Sequence, residues 1–143
     1  MRLVFCFAIF LSACTARPSY SDGEELYKKH CAGCHIDDGT GVGALVPPLA
    51  QSDYLQRIDL KVACLIRNGV QGKMLVNGQE YEGIMPANAR LSDIEITNIA
   101  NYIFNAWGNE RDFIAPEEIR KTLSECPPAA APATSADTST SRN

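Results

Sequence analysis

The stretch KKHCAGCHIDDGTG, residues 28–41, places Cys31, Cys34 and His35 within five positions. Two thiols at this spacing can grip a metal ion, shuttle a disulfide or be joined covalently to a haem. A structural zinc site needs a second Cys/His pair at ligand spacing, and the chain offers no other close pair. A thioredoxin-like dithiol needs a βαβ setting, which the helical patterning described below does not supply. C-x-x-C-H is also the attachment signature of a c-type haem. The turn between the sulfurs sets their reach to two vinyl groups, and His35, next to the second Cys, lies under the iron as its proximal ligand.

Helix signals surround this motif. Ser21-Asp22-Gly23-Glu24 has the form of a capping box and opens a helix running toward Cys31. Ser92-Asp93-Ile94-Glu95 is a second box. It leads a segment with Ile96, Ile99, Ala100, Ile103 and Trp107 at helical spacing, stopped by Gly108. Residues 59–68 read as a third helix ended by Gly69, and residues 115–125 as a fourth, with Pro116 in its first turn. The Asn77-Gly78 pair within VNGQ, residues 76–79, suits a small hairpin. The expectation is an all-α domain of several short helices, with that hairpin and one extra C-terminal helix.

Apolar content of 45% and charged content of 21% are near globular averages, so a packed core is expected. The net charge of −4 argues against a nucleic-acid partner, because phosphate binding calls for a basic surface. Six cysteines are many for a cytosolic chain of 143 residues. The N-terminus accounts for part of this. Arg2 is followed by an apolar run from Leu3 to Leu11 and then small residues, a short secretory signal pattern. At about half the roughly 20 residues of a membrane span, the run is too short to cross a bilayer. LSAC, residues 11–14, resembles the lipobox of bacterial lipoproteins, which implies a signal peptide over 1–13 and lipidation of Cys14. Several acyl chains would hold the protein stably at a membrane, whereas one is marginal. Thr15 is not the Asp that typically retains such proteins at the inner membrane, which points toward the outer one. Residues 14–22 then form the lipidated Cys and a polar tether, reaching ~25 Å at about 3.3 Å per residue. Residues 127–143 contain no hydrophobic larger than Ala and are expected to be disordered.

A haem iron has a sixth position to fill. The mature chain offers His30, Met74 and Met85. His30 adjoins Cys31 and is tied to the attachment segment, and Met74 reads as core or surface packing. Met85, between Gly83 and Pro86 and just before the long helix, is the expected distal ligand; a thioether ligand raises reduction potential.

Residues 23–109 resemble the class I cytochrome c family, within a domain expected over residues 23–113. The features are Gly23 and Tyr27 ahead of CAGCH, then PPL (residues 47–49), Met85-Pro86 and YIFNAWGN (residues 102–109). The resemblance implies one covalently attached haem c. Gly23, Tyr27 and Tyr102 fall where the family crosses its first and last helices. Pro47 falls where a proline carbonyl accepts a hydrogen bond from the proximal His, which would orient His35. VNGQEY before MP looks most like cytochromes serving bacterial dehydrogenases, oxidases and copper nitrite reductases.

The helix over 114–126 lies beyond the family's last one, and Cys64 and Cys126 are not used by haem. In an oxidising periplasm they are expected to pair. Cys126 shares a face with Ile119 and Leu123, so the bridge would pin the extra helix to the domain.

With both axial positions filled, no site is left for substrate, and the expectation is an electron carrier rather than an enzyme. Leu45, Leu49, Leu65, Ile66, Ile96 and Ile99 are candidates to enclose the haem. Donor and acceptor would be redox proteins, such as membrane oxidoreductases of a respiratory chain, with the carrier a lipid-anchored monomer on the periplasmic side. The alternatives are a permanent haem subunit of an oxidase, dehydrogenase or nitrite reductase complex, and an open-iron sensor or enzyme. No distal acid–base pair supports the last.

Overall fold

A computed structural model describes residues 20–127. The signal peptide over 1–13, Cys14 with its tether up to Ser19, and the tail from Pro128 onward lie outside the described residues. Helix α1 (Ser21–His30) has Asp22 and Glu24 in its first turn and Lys28, Lys29 and His30 in its last. Both charge sets oppose the helix dipole favourably. The capping box expected at Ser21 does not form. Tyr20 is the N-cap, Ser21 already belongs to the helix, and the Glu24 carboxylate pairs with Lys28 instead. A short helix α2 (Ala32–His35) carries the motif.

The helix expected over residues 59–68 is broken. Helix α3 (Asp53–Ile58), absent from the sequence reading, is capped by the Ser52 hydroxyl accepting from the Leu55 N–H. Asp59, at φ 51°, turns the chain into a 3-10 segment (Asp59–Lys61) before α4 (Val62–Asn68) resumes. Strands β1 (Val70–Val76) and β2 (Gln79–Met85) then pair antiparallel, from Val70 opposite Met85 to Val76 opposite Gln79. The turn at Asn77 (φ 49°) and Gly78 (φ 79°) has the left-handed pair that a type I′ hairpin requires.

Helix α5 (Asp93–Ile103) starts on a complete capping box between Ser92 and Glu95. It stops at Ile103, short of Gly108, and the chain turns so that Trp107 reaches the first helix. Its buried Ile96, Ile99, Ala100 and Ile103 form the centre of the core. Helix α1 crosses α5 at Gly23. A Cβ there would stand 2.8 Å from Tyr102 Cβ and closer still to the Asn98 carbonyl oxygen, so only glycine permits the approach. Beside the crossing, Tyr27, Tyr102 and Trp107 stack, with ring centroids 4.9–5.4 Å apart. Aromatic pairs at such spacing add about 0.5–1.5 kcal/mol beyond their burial.

Helix α6 (Pro116–Ser124) buries Ile119 completely against α4 and α5. Asn101 of α5 ties down the chain leading into α6, accepting from the Ile114 N–H at 2.8 Å and donating to its carbonyl at 3.0 Å. The Cys64–Cys126 disulfide, with Cα atoms 5.5 Å apart, fastens the far end of α6 to α4. Among the described residues no helix is long and apolar enough to cross a membrane.

Candidate haem site

An apolar cleft opens between the motif, the helices α3–α5 and the hairpin. Cys31, Cys34 and His35 lie on one part of its wall, where helix α1 ends and α2 turns. The loop before α3 adds Pro47, Pro48 and Leu49; the helices add Leu55, Val62, Leu65, Ile66, Ile99 and Ile103. The hairpin's inward residues Val70, Met74, Val76, Tyr81 and Met85 complete it. Among the described residues, no Lys, Arg, Asp or Glu lines the cleft. Nor do three or more His, Cys, Asp or Glu gather into a metal-holding cluster.

His35 is buried, and its Nδ1 lies 3.2 Å from the Pro47 carbonyl oxygen. A carbonyl can only accept, so Nδ1 carries the proton and Nε2 keeps its lone pair for a metal. Desolvation lowers the His35 pKa below its ordinary value, against a smaller opposing effect of that hydrogen bond. Burial, the larger effect, favours the neutral, ligating imidazole, and the bond to Pro47 fixes which ring nitrogen is free. Cys31 as a free thiol is pushed up to about 11, first by burial and then by Cys34.

Met74 and Met85 both line the cleft, where Met74, expected as core or surface packing, is half-buried. Their separation follows from the register. Val70 faces Met85, and Met74 stands four residues further along β1, ~13 Å at about 3.3 Å per residue. One iron therefore takes one of them. Met85 has the firmer seat: its strand partner is Val70, and its carbonyl lies 2.5 Å from where a Cβ of Gly69 would stand. Gly69, at φ 74°, both ends α4 and lets Met85-Pro86 lie against it. The Asn88 N–H, just beyond, donates to the Ile66 carbonyl at 2.9 Å.

Of the residues expected to enclose the haem, Leu49, Leu65, Ile66 and Ile99 line the cleft. Ile96 does not; it is buried in the core on α5. Leu45 lines only the mouth, 76% exposed, beside Ile84 at 75%. His30 is exposed and rims the cleft. The sequence reading missed Gly69, Tyr54 and Tyr81. It also missed Asn109, whose buried amide donates to the carbonyls of Leu49 (2.8 Å) and Ile103 (2.7 Å), fastening the haem-side loop to α5. Gly69 announced itself only as a helix stop; its second task needs the hairpin to return.

An apolar cleft with two free thiols and a buried histidine on its wall is the arrangement a c-type cytochrome uses. The chain belongs to the cytochrome c family, whose model matches residues 20–107. It is 33% identical over 112 residues to cytochrome c-552 of Thermus thermophilus, spanning 71% of this chain and 83% of that protein. Cytochrome c6 of Gracilaria tenuistipitata var. liui is 31% identical, over 76% of this chain and 98% of its own length. The cytochrome c subunit of the quinone alcohol dehydrogenase of Gluconobacter oxydans is 30% identical over 61% of this chain and 18% of that subunit. The cofactor is one covalently attached haem c. The residues present fit it: two thiols outside the disulfide, a buried imidazole with one ring nitrogen already engaged, and an uncharged wall.

Proposed function

We propose that this protein is a membrane-anchored mono-haem electron carrier on the periplasmic side of a bacterial membrane. Cys31 and Cys34 would hold the haem as thioethers, His35 would be its proximal ligand and Met85 its distal one. When bound, the haem supplies a one-electron iron couple. The chain's own part is to fix the two ligands, exclude water and leave one edge reachable. Pro47 orients His35, Gly69 and the Val70 pairing hold Met85, and the apolar wall limits reorganisation. The uncharged lip at Leu45 and Ile84 is where a partner could come close. Cys14 with its short tether would keep the carrier near the bilayer. The observation that carries the reading is that His35 and Met85 line the same cleft, each with its backbone or ring fixed by a second contact.

The test is the far-red absorption of the ferric, haem-loaded protein. A weak sulfur-to-iron charge-transfer band is expected in the wild type, retained in Met74→Ala and lost in Met85→Ala. A high-spin wild-type spectrum defeats the carrier reading and favours an open iron. The similarity to dehydrogenase cytochrome subunits supports a second reading, a permanent subunit of a larger redox complex. Purification of the full chain from its native membrane separates the two: a carrier elutes as a monomer, a subunit with its enzyme.

A further inference from the structure

The described residues carry sulfur at four cysteines and two methionines. Cys64 and Cys126 are bridged to one another, and Cys31 and Cys34 are the thiols set to carry the haem. Met85 is the proposed distal ligand. Met74 is then the one sulfur among the described residues without a covalent or ligating partner. It is half-buried and lines the cleft, paired with Tyr81 across the hairpin. The next inward pair is Gly72 with Gly83, and the one after that Val70 with Met85. The glycine pair leaves the wall between the two methionines without side chains. A Cβ at Gly72 would meet nothing within 4 Å, and one at Gly83 only the Leu45 carbonyl oxygen at 3.7 Å. Gly83 is itself exposed, beside the Leu45 and Ile84 side chains at the cleft mouth. A solute of two heavy atoms entering there reaches the Met74 thioether over ~7 Å of bare backbone, two residues at about 3.3 Å each.

We propose that Met74 is a modification site, at which hydrogen peroxide entering the cleft oxidises the thioether to the sulfoxide. A sulfur lone pair attacks one peroxide oxygen; an S–O bond forms and the O–O bond breaks. The sulfur gives up two electrons, and the other oxygen leaves as water with both protons. Met85 resists the same attack, because a sulfur that shares a lone pair with iron is the poorer nucleophile. The product places a polar, chiral group where an apolar one stood. No charged side chain among the described residues lines the cleft, and in such a low-dielectric setting a new dipole is weakly screened. The ferric state bears one more positive charge than the ferrous, so a more polar wall favours it. Oxidation of Met74 thus lowers the reduction potential, and methionine sulfoxide reductase restores it. Peroxide in this way weakens the carrier's pull on its donor while both axial ligands stay in place.

Because this rests on the His35–Met85 ligand reading, the experiment separates the two failures. The ferric, haem-loaded protein is treated with increasing hydrogen peroxide beside free methionine in the same solution. It is then cleaved after glutamate, which cuts at Glu80 and Glu82 between the two methionines. Mass spectrometry is expected to find one added oxygen on the Met74 peptide and none on the Met85 peptide, with the far-red band undiminished. Oxygen on both peptides means that iron does not hold Met85, which defeats the ligand reading and the selectivity with it. Met74 left unmodified at doses that oxidise the free methionine overturns the proposal, whether or not Met85 is oxidised. Potentiometric titration gives the second readout. The oxidised protein is expected to show a lower midpoint potential, restored by methionine sulfoxide reductase and absent from peroxide-treated Met74→Leu, a volume-conserving change. Met74→Gln puts a polar group on the wall with no oxidant and is expected to shift the potential the same way. A potential unmoved by the Met74 sulfoxide, or moved equally by peroxide in Met74→Leu, overturns the regulatory role.

Discussion

Gly23→Ala puts the helix crossing to a test of sign. On a free helix this substitution stabilises by about 1 kcal/mol, because Ala is the better helix former. Here the new Cβ would stand 2.8 Å from Tyr102 Cβ and 2.9 Å from the Asn98 carbonyl carbon. Ordinary carbon contacts lie at about 3.5–4.0 Å, so α1 and α5 must part by ~1 Å. Much of the obstacle is backbone, which cannot rotate aside. Overpacking of this kind costs ~1–3 kcal/mol. Parting the helices also loosens the Tyr27–Tyr102–Trp107 stack, worth about 0.5–1.5 kcal/mol per pair. The net expectation is a loss of about 3 kcal/mol. At ~4–8 °C per kcal/mol for a domain of this size, Tm falls by about 12–24 °C. Thermal unfolding of the haem-loaded protein, followed by far-ultraviolet circular dichroism, reads this directly. A Tm equal to or above wild type would refute the close crossing, because helix propensity alone would then account for the result.

Gly69→Ala, with a Cβ 2.5 Å from the Met85 carbonyl and a strained φ of 74°, is expected to weaken or abolish the far-red band while the haem stays covalently attached; an undiminished band means Met85 does not depend on this contact. Cys126→Ala opens a bridge spanning 62 residues in sequence and is expected to cost about 4 kcal/mol by loop-closure entropy, read as a lower denaturation midpoint that dithiothreitol reproduces in the wild type. Asn109→Leu leaves the Leu49 and Ile103 carbonyls without their donor, with an expected loss of ~1–3 kcal/mol in urea unfolding. Asp53 is held below its ordinary pKa of 3.8, first by the Asn77 N–H, so its contribution is present above that pH and is lost as pH falls through the folded value. Asp53→Asn should flatten the acid limb of the stability curve below about pH 4, the range set by that ordinary value; an unchanged limb contradicts the sign.

Local signals carried far along the chain. The motif at Cys31, Cys34 and His35 depends on sequence spacing alone, and so does the Ser92–Glu95 box, both of whose hydrogen bonds form. The Asn77-Gly78 hairpin is likewise a two-residue matter. Where a local signal failed, a competing partner had taken its group, as Lys28 took Glu24 from the expected first box. The break at Asp59 was invisible because the helical pattern of residues 59–68 gives no hint of a left-handed residue at its start.

What residue types and spacing determined by themselves was the cofactor chemistry and the helical character, because both are written within a few neighbours. Tertiary structure decided which side chains share the cleft. Met74 and Tyr81 enter it only because the hairpin register turns them to one face, and Ile96 leaves it because α5 offers that face to the core. Gly69 acquires its role when Met85 returns against it from sixteen residues away. Contacts of that kind arise from packing between distant segments, and no local pattern encodes them.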